Sequence, residues 1–111
     1  MKLNDYQKET ERTAPSIDDQ EGCLINFSMG LSGESGEFTD HIKKVVFQGH
    51  PLSYSDAEEE LGDILYYLAR AADALGLTLE EVAQTNINKL KKRYPNGFTT
   101  KDSMQRRDVA E

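Results

Sequence analysis

Glu34 and Glu37 stand three residues apart in Gly33-Glu34-Ser35-Gly36-Glu37, and Glu60 and Asp63 repeat that spacing in Glu60-Leu61-Gly62-Asp63. In a helix, residues three apart project about 60° from one another, so each pair sets two carboxylates on one face. Two such helices side by side would bring four acidic groups together. Four carboxylates converging without a cation repel strongly, and a hard divalent ion held by oxygen ligands, Mg²⁺ with Mn²⁺ as a substitute, relieves them. A solvated face is the ordinary explanation for helical acids such as Glu58 and Glu59. The two pairs differ from these. Each is followed by apolar residues and each contains a glycine, Gly36 or Gly62. Glycine weakens a helix by about 1 kcal/mol and suits a place where something approaches closely.

The elements that must position these groups are helices. Apolar residues Leu24, Phe27, Leu31, Phe38, Ile42 and Val45 step by three, four and seven and predict a helix over residues 20–47, capped by Asp18 or Asp19. The gap in that stripe falls at Glu34. A carboxylate on a core-facing seam is costly unless something compensates it, which is the best single argument that Glu34 has a ligand. Gly49-His50-Pro51 ends this helix, and Ser53 or Ser55 caps another over residues 56–75. After Asp63 that helix is apolar nearly all round, broken by Arg70 and Asp73, so it should be central. A short polar helix over residues 4–13, anchored by Leu3, Tyr6 and Thr10, stops at Ala14-Pro15. Thr78-Leu79-Glu80-Glu81 reads as a capping box for a fourth helix that runs to about residue 94 and stops at Pro95-Asn96-Gly97. The expected architecture is all-α and four-helix bundle-like, one domain over residues 1–98 with a polar tail over 99–111.

The fourth helix carries a basic cluster. Lysines and arginines at a helix C-terminus favourably oppose the macrodipole, which explains much of it. Yet Asn86, Lys89 and Arg93 step by three and four, a polar stripe suited to phosphates that a metal leaves uncovered. Lys44 is a weaker candidate of the same kind. Tyr66, Tyr67 and Tyr94 either stack on a base or are core residues with a polar tip. His41, four residues after Glu37, could be taken for a zinc ligand, but Glu-x-x-x-His fits a hydrogen-bonded flank histidine better. The di-iron pattern would need Glu-x-x-His on two helices, and neither has it.

Composition narrows the classes. The 111 residues carry a formal net charge of −7, which argues against gripping nucleic acid by its phosphates. Cys23 is the single cysteine, so no intrachain disulfide forms and the composition suits a reducing cytosol. The polar amino terminus holds no signal core, and no run approaches membrane-spanning length.

With these residues in hand, the chain resembles the MazG-like nucleoside triphosphate pyrophosphohydrolases over residues 24–98. The resemblance rests on Gly30-Leu31-Ser32-Gly33-Glu34-Ser35-Gly36-Glu37, on Glu60-Leu61-Gly62-Asp63-Ile64-Leu65-Tyr66-Tyr67-Leu68, and on Asn86 through Phe98. It implies an all-α enzyme whose Glu34, Glu37, Glu60 and Asp63 bind Mg²⁺ and which releases pyrophosphate from a nucleoside triphosphate. Many members carry a further glutamate directly before the first pair, where this chain has Gly33. The resemblance also implies a homodimer or a tetramer of dimers, as does the apolar girth of the third helix. Phe27, Leu65, Tyr66, Leu68 and Ala72 are the expected interface residues. The alternatives are a non-catalytic helical interaction module and a metal-dependent hydrolase of another phosphoester or diphosphate.

Overall fold

The computed structural model describes residues 1–109. In chain order it comprises α1 (Leu3–Glu9), a 3₁₀ turn (Thr10–Thr13), α2 (Gln20–Phe47), α3 (Tyr54–Ala74), α4 (Leu79–Arg93) and α5 (Thr100–Gln105). Among the described residues there is no β-strand, so the fold is all-α, as the periodicity predicts. The chain falls into two compact units, Met1–Leu79 and Glu80–Glu111.

In the first unit α2 and α3 pack along their length as an antiparallel hairpin. Gln20 donates to the Ala74 carbonyl at 2.9 Å, Gly30 faces the Tyr67 ring, and His41 meets Glu60. Partner numbers on α3 therefore fall as those on α2 rise. Local chemistry sets the ends of both helices. Asp19 accepts from the Gly22 amide and Ser53 from the Asp56 amide, which decides between the alternative caps. Gly49 follows α2 at φ +70° and Gly76 follows α3 at φ +72°, the left-handed conformation that glycine adopts without a Cβ penalty.

At Gly30 the Tyr67 ring lies tight against the α2 backbone. A Cβ there would lie 2.3 Å from Cε1 of Tyr67. Such overpacking costs about 1–3 kcal/mol, against the ~1 kcal/mol that alanine gains over glycine in a helix. Gly36→Ala meets nothing within 4 Å and collects only the gain. Thermal melts should therefore show Gly30→Ala below the parent chain and Gly36→Ala above it.

The buried apolar set is small: Phe27, Ala69, Ala72 and Leu79, with Tyr6 and Leu65 packed against the last three. Polar side chains dock the first helix. Buried Gln7 donates to the Leu77 carbonyl at 2.9 Å and accepts from the Leu79 amide at 2.8 Å, tying α1 to the turn after α3. Arg70, read in the sequence as a break in an apolar helix, is 4% exposed. Its guanidinium donates to Thr10 Oγ1, the Gln7 carbonyl and Asp73 Oδ2. A buried charge is tolerable only when its donors are satisfied in this way.

The second unit contains most of α4 and the segment beyond it. That segment is not wholly irregular: Thr99 caps the short α5 by accepting from the Asp102 amide at 3.0 Å. Arg93 grips Asp108 through two hydrogen bonds, at 2.5 and 2.9 Å, and the Tyr94 and Phe98 rings lie 5.3 Å apart.

Candidate active site

Both acidic pairs sit on the α2–α3 hairpin, Glu34 and Glu37 on one helix and Glu60 and Asp63 on the other. The antiparallel register sets the pairs near one another, and the electrostatics of Glu34 register it. Burial pushes the Glu34 carboxyl above its ordinary range, and the charges of Glu37, Asp63 and Glu60 raise it further. Its Oε2 is sealed from solvent and has no hydrogen-bond partner within the protein. The gap in the apolar seam therefore holds a buried oxygen that accepts from no donor, on a carboxyl whose side-chain contact is another carboxyl, Glu37.

Beside it an open cleft of about 910 Å³ is lined by Glu37, His41 and Lys44 of α2, His50 of the connection, and Glu59, Glu60 and Asp63 of α3. Gly33 and Gly36 also line it, and a Cβ on either would meet nothing within 4 Å. Gly62 is equally open. Packing within the chain therefore does not require glycine at these three positions, whereas at Gly30 it does.

The four carboxylates are gathered but not closed around a point. Among the described residues, no three histidine, cysteine or acidic side chains stand close enough to grip one ion. The physical reasons are visible: like charges repel, and Glu60 is drawn to His41, whose Nδ1 lies 2.5 Å from its Oε1. The residues nevertheless fit a hard divalent cation. Glu34 offers an acceptor without a donor, three further carboxylates stand within electrostatic range of it, and all the ligating atoms would be oxygen.

Other residues singled out in the sequence fare unequally. Lys44 holds Asp40 at 2.9 Å, and this hydrogen bond lowers the Asp40 carboxyl and raises the lysine. Asn86 and Lys89 are exposed on α4. Arg93 is instead engaged by Asp108, and that hydrogen bond holds the Asp108 carboxyl far below the carboxylate range. The tyrosines all make packing contacts within the chain. Tyr67 fills the notch at Gly30, Tyr66 meets it edge-on at 5.1 Å and accepts from Thr13 Oγ1, and Tyr94 packs on Phe98. Sequence reasoning takes Tyr6 only as an anchor of the first helix and misses its nearness to the acidic pairs. Burial raises its phenol and the charge on Asp63 raises it further, which puts α1 within electrostatic range of the second pair. Only the fold brings residues this far apart in the chain together.

A family model of the MazG nucleotide pyrophosphohydrolase domain matches residues 26–98. The chain belongs to that family. The matched span holds both acidic pairs and the Asn86–Lys89–Arg93 stripe. The Gene 37 protein of Mycobacterium phage L5 is 36% identical over 88 residues, covering 76% of this chain and 76% of that protein. No solved structure gives a significant match. Among the described residues no helix is long and apolar enough to cross a membrane.

Proposed function

We propose that this MazG-family chain hydrolyses a nucleoside triphosphate to the monophosphate and pyrophosphate, with Mg²⁺ bound by Glu34, Glu37, Glu60 and Asp63. The observation that carries this reading is Glu34: a shielded, partnerless carboxylate oxygen, its charge opposed by three neighbouring carboxylates, beside an open cleft. Such a group gains most from a cation. When bound, Mg²⁺ would neutralise phosphate charge and the charge that develops as pyrophosphate departs.

The rest of the reaction falls to the chain's own groups. Water attacks the innermost phosphorus, a new P–O bond forms, and the bond to the bridging oxygen breaks so that pyrophosphate leaves. A cleft carboxylate, one of the four or Glu59, takes the water's proton. Open space above Gly33 and Gly36 admits the phosphates, and Gly36→Ala should weaken substrate binding even as it raises the melting temperature. Asn86 and Lys89 supply donors to phosphate or sugar. Arg93 is proposed with them from its place in the same stripe, its guanidinium being held by Asp108 in this structure. Hydrogen bonds to charged groups contribute about 1.5–3 kcal/mol, so Lys89→Ala should raise KM about tenfold or more with Mg²⁺ affinity unchanged.

The functional unit is proposed to be a homo-oligomer built from dimers. The direct test is a panel of common and modified nucleoside triphosphates with Mg²⁺, and with chelator as control, read for pyrophosphate and monophosphate. Equal amounts of the two, dependent on the metal, are expected. Orthophosphate release would favour another phosphohydrolase, and no turnover with any substrate would favour an interaction module.

A further inference from the structure

His41 and Glu60 come from different helices and meet across the hairpin, Nδ1 to Oε1 at 2.5 Å, with side chains only 13% and 17% exposed. The proposed chemistry leaves His41 without a task. We propose that His41 is a positioning residue: its Nδ1–H holds one oxygen of Glu60 so that the other is presented to the divalent cation. The inference rests on the metal-dependent reading above and adds to it a residue that is neither ligand nor substrate contact.

Several observations support it. As a metal ligand Glu60 would be a carboxylate, which only accepts, so the donor in this contact would be Nδ1–H. Both groups are largely withdrawn from water, where a charge-assisted hydrogen bond is short and directional rather than screened. Lys44, whose charge also lies near Glu60, is held by Asp40 at 2.9 Å. His41 also follows Glu37 by four residues on α2, one helical turn along the same face. The contact therefore ties the helix of the first acidic pair to a member of the second. A hydrogen-bonded partner behind a ligand commonly sets the ligand's orientation and metal affinity. Glu34 shows the contrast, since its Oε2 has no such partner.

The test compares four proteins: the parent chain, His41→Asn, His41→Leu and His41→Ala. Asparagine places an amide N–H close to where Nδ1–H stands, leucine keeps the bulk without a donor, and alanine keeps the helix. Mg²⁺ affinity is measured by calorimetry and Mn²⁺ affinity by the loss of free-ion EPR signal, both without nucleotide. Melting temperatures are recorded in chelator. Loss of an outer-shell partner typically costs about 10–100-fold in metal affinity. The leucine and alanine variants should fall in that range, with asparagine restoring most of the loss. If leucine fails to fold, the alanine and asparagine pair decides. Metal affinity unchanged in a folded variant that lacks the donor overturns the inference, as does asparagine binding no better than leucine or alanine. A merely structural histidine would lower the melting temperature and leave metal affinity where it was. Should the parent chain bind neither ion, the metal-dependent reading itself fails, an outcome distinct from a parent that binds and variants that bind equally.

Discussion

Glu34→Gln should melt higher than the parent chain in chelator at neutral pH, yet show no Mg²⁺-dependent hydrolysis. The two effects have one cause. Burial raises the Glu34 carboxyl, and Glu37, Asp63 and Glu60 raise it further, so ionising it in the fold is unfavourable. Its pKa is higher folded than unfolded, and between those values the folded state binds more protons. Stability is therefore lost as pH rises through that window. Glutamine never ionises and its amide can donate to the neighbouring carboxylate. The gain should be largest above the raised pKa and vanish in acid, where Glu34 is protonated in both states. With Mg²⁺ the order should reverse, because an ion that binds the folded state stabilises it and the variant lacks a ligand. Outer-shell partners alone cost about 10–100-fold, so losing a ligand should cost at least a hundredfold in turnover. Melting curves from pH 4 to 8, in chelator and in Mg²⁺, check the first claim, and pyrophosphate release checks the second. Full activity in this variant would remove Glu34 from the site.

What the sequence disclosed about this site follows from what a single helix can report. The α2 limits, residues 20–47, agree with the periodicity, because a long amphipathic stripe between an aspartate cap and a glycine stop leaves little choice. The seam position of Glu34 was visible for the same reason. What escaped depends on register between elements. The His41–Glu60 contact is set by how α2 slides along α3, and neither helix's own pattern records that. Gln7 and Arg70 escaped for a second reason: hydrophobic periodicity scores both as surface, whereas they are buried with their hydrogen bonds met. Arg93 was visible as a cation, but its partner Asp108 lies fifteen residues on, in a segment too polar to suggest a fold.

Leu68→Glu should leave the chain monomeric, whereas the parent should sediment as a dimer or larger. Leu61, Leu68 and Leu75 follow one another at seven-residue intervals on and just past α3, and they are 50%, 41% and 52% exposed. Residues seven apart drift by only about 20° around a helix, so the three leucines form one ridge. Elsewhere α3 is already covered within the chain: Tyr67 packs against Gly30, and Ala69 and Ala72 lie in the core, so the ridge runs along the core's margin. Of the residues expected at an interface, Phe27 and Ala72 are buried within their own chain at 3% and 6% exposure. Leu65 packs against the core, which leaves Leu68 as the most available of the five. A second copy across a twofold axis would lay ridge on ridge, and symmetry would then place a new glutamate opposite or near its own mate. Juxtaposed like charges in an interface cost several kcal/mol, enough to weaken a micromolar dimer by about a hundredfold or more. Sedimentation velocity at micromolar concentration, with helicity checked by circular dichroism, reads the result. A parent chain that is monomeric and fully active would overturn the assembly.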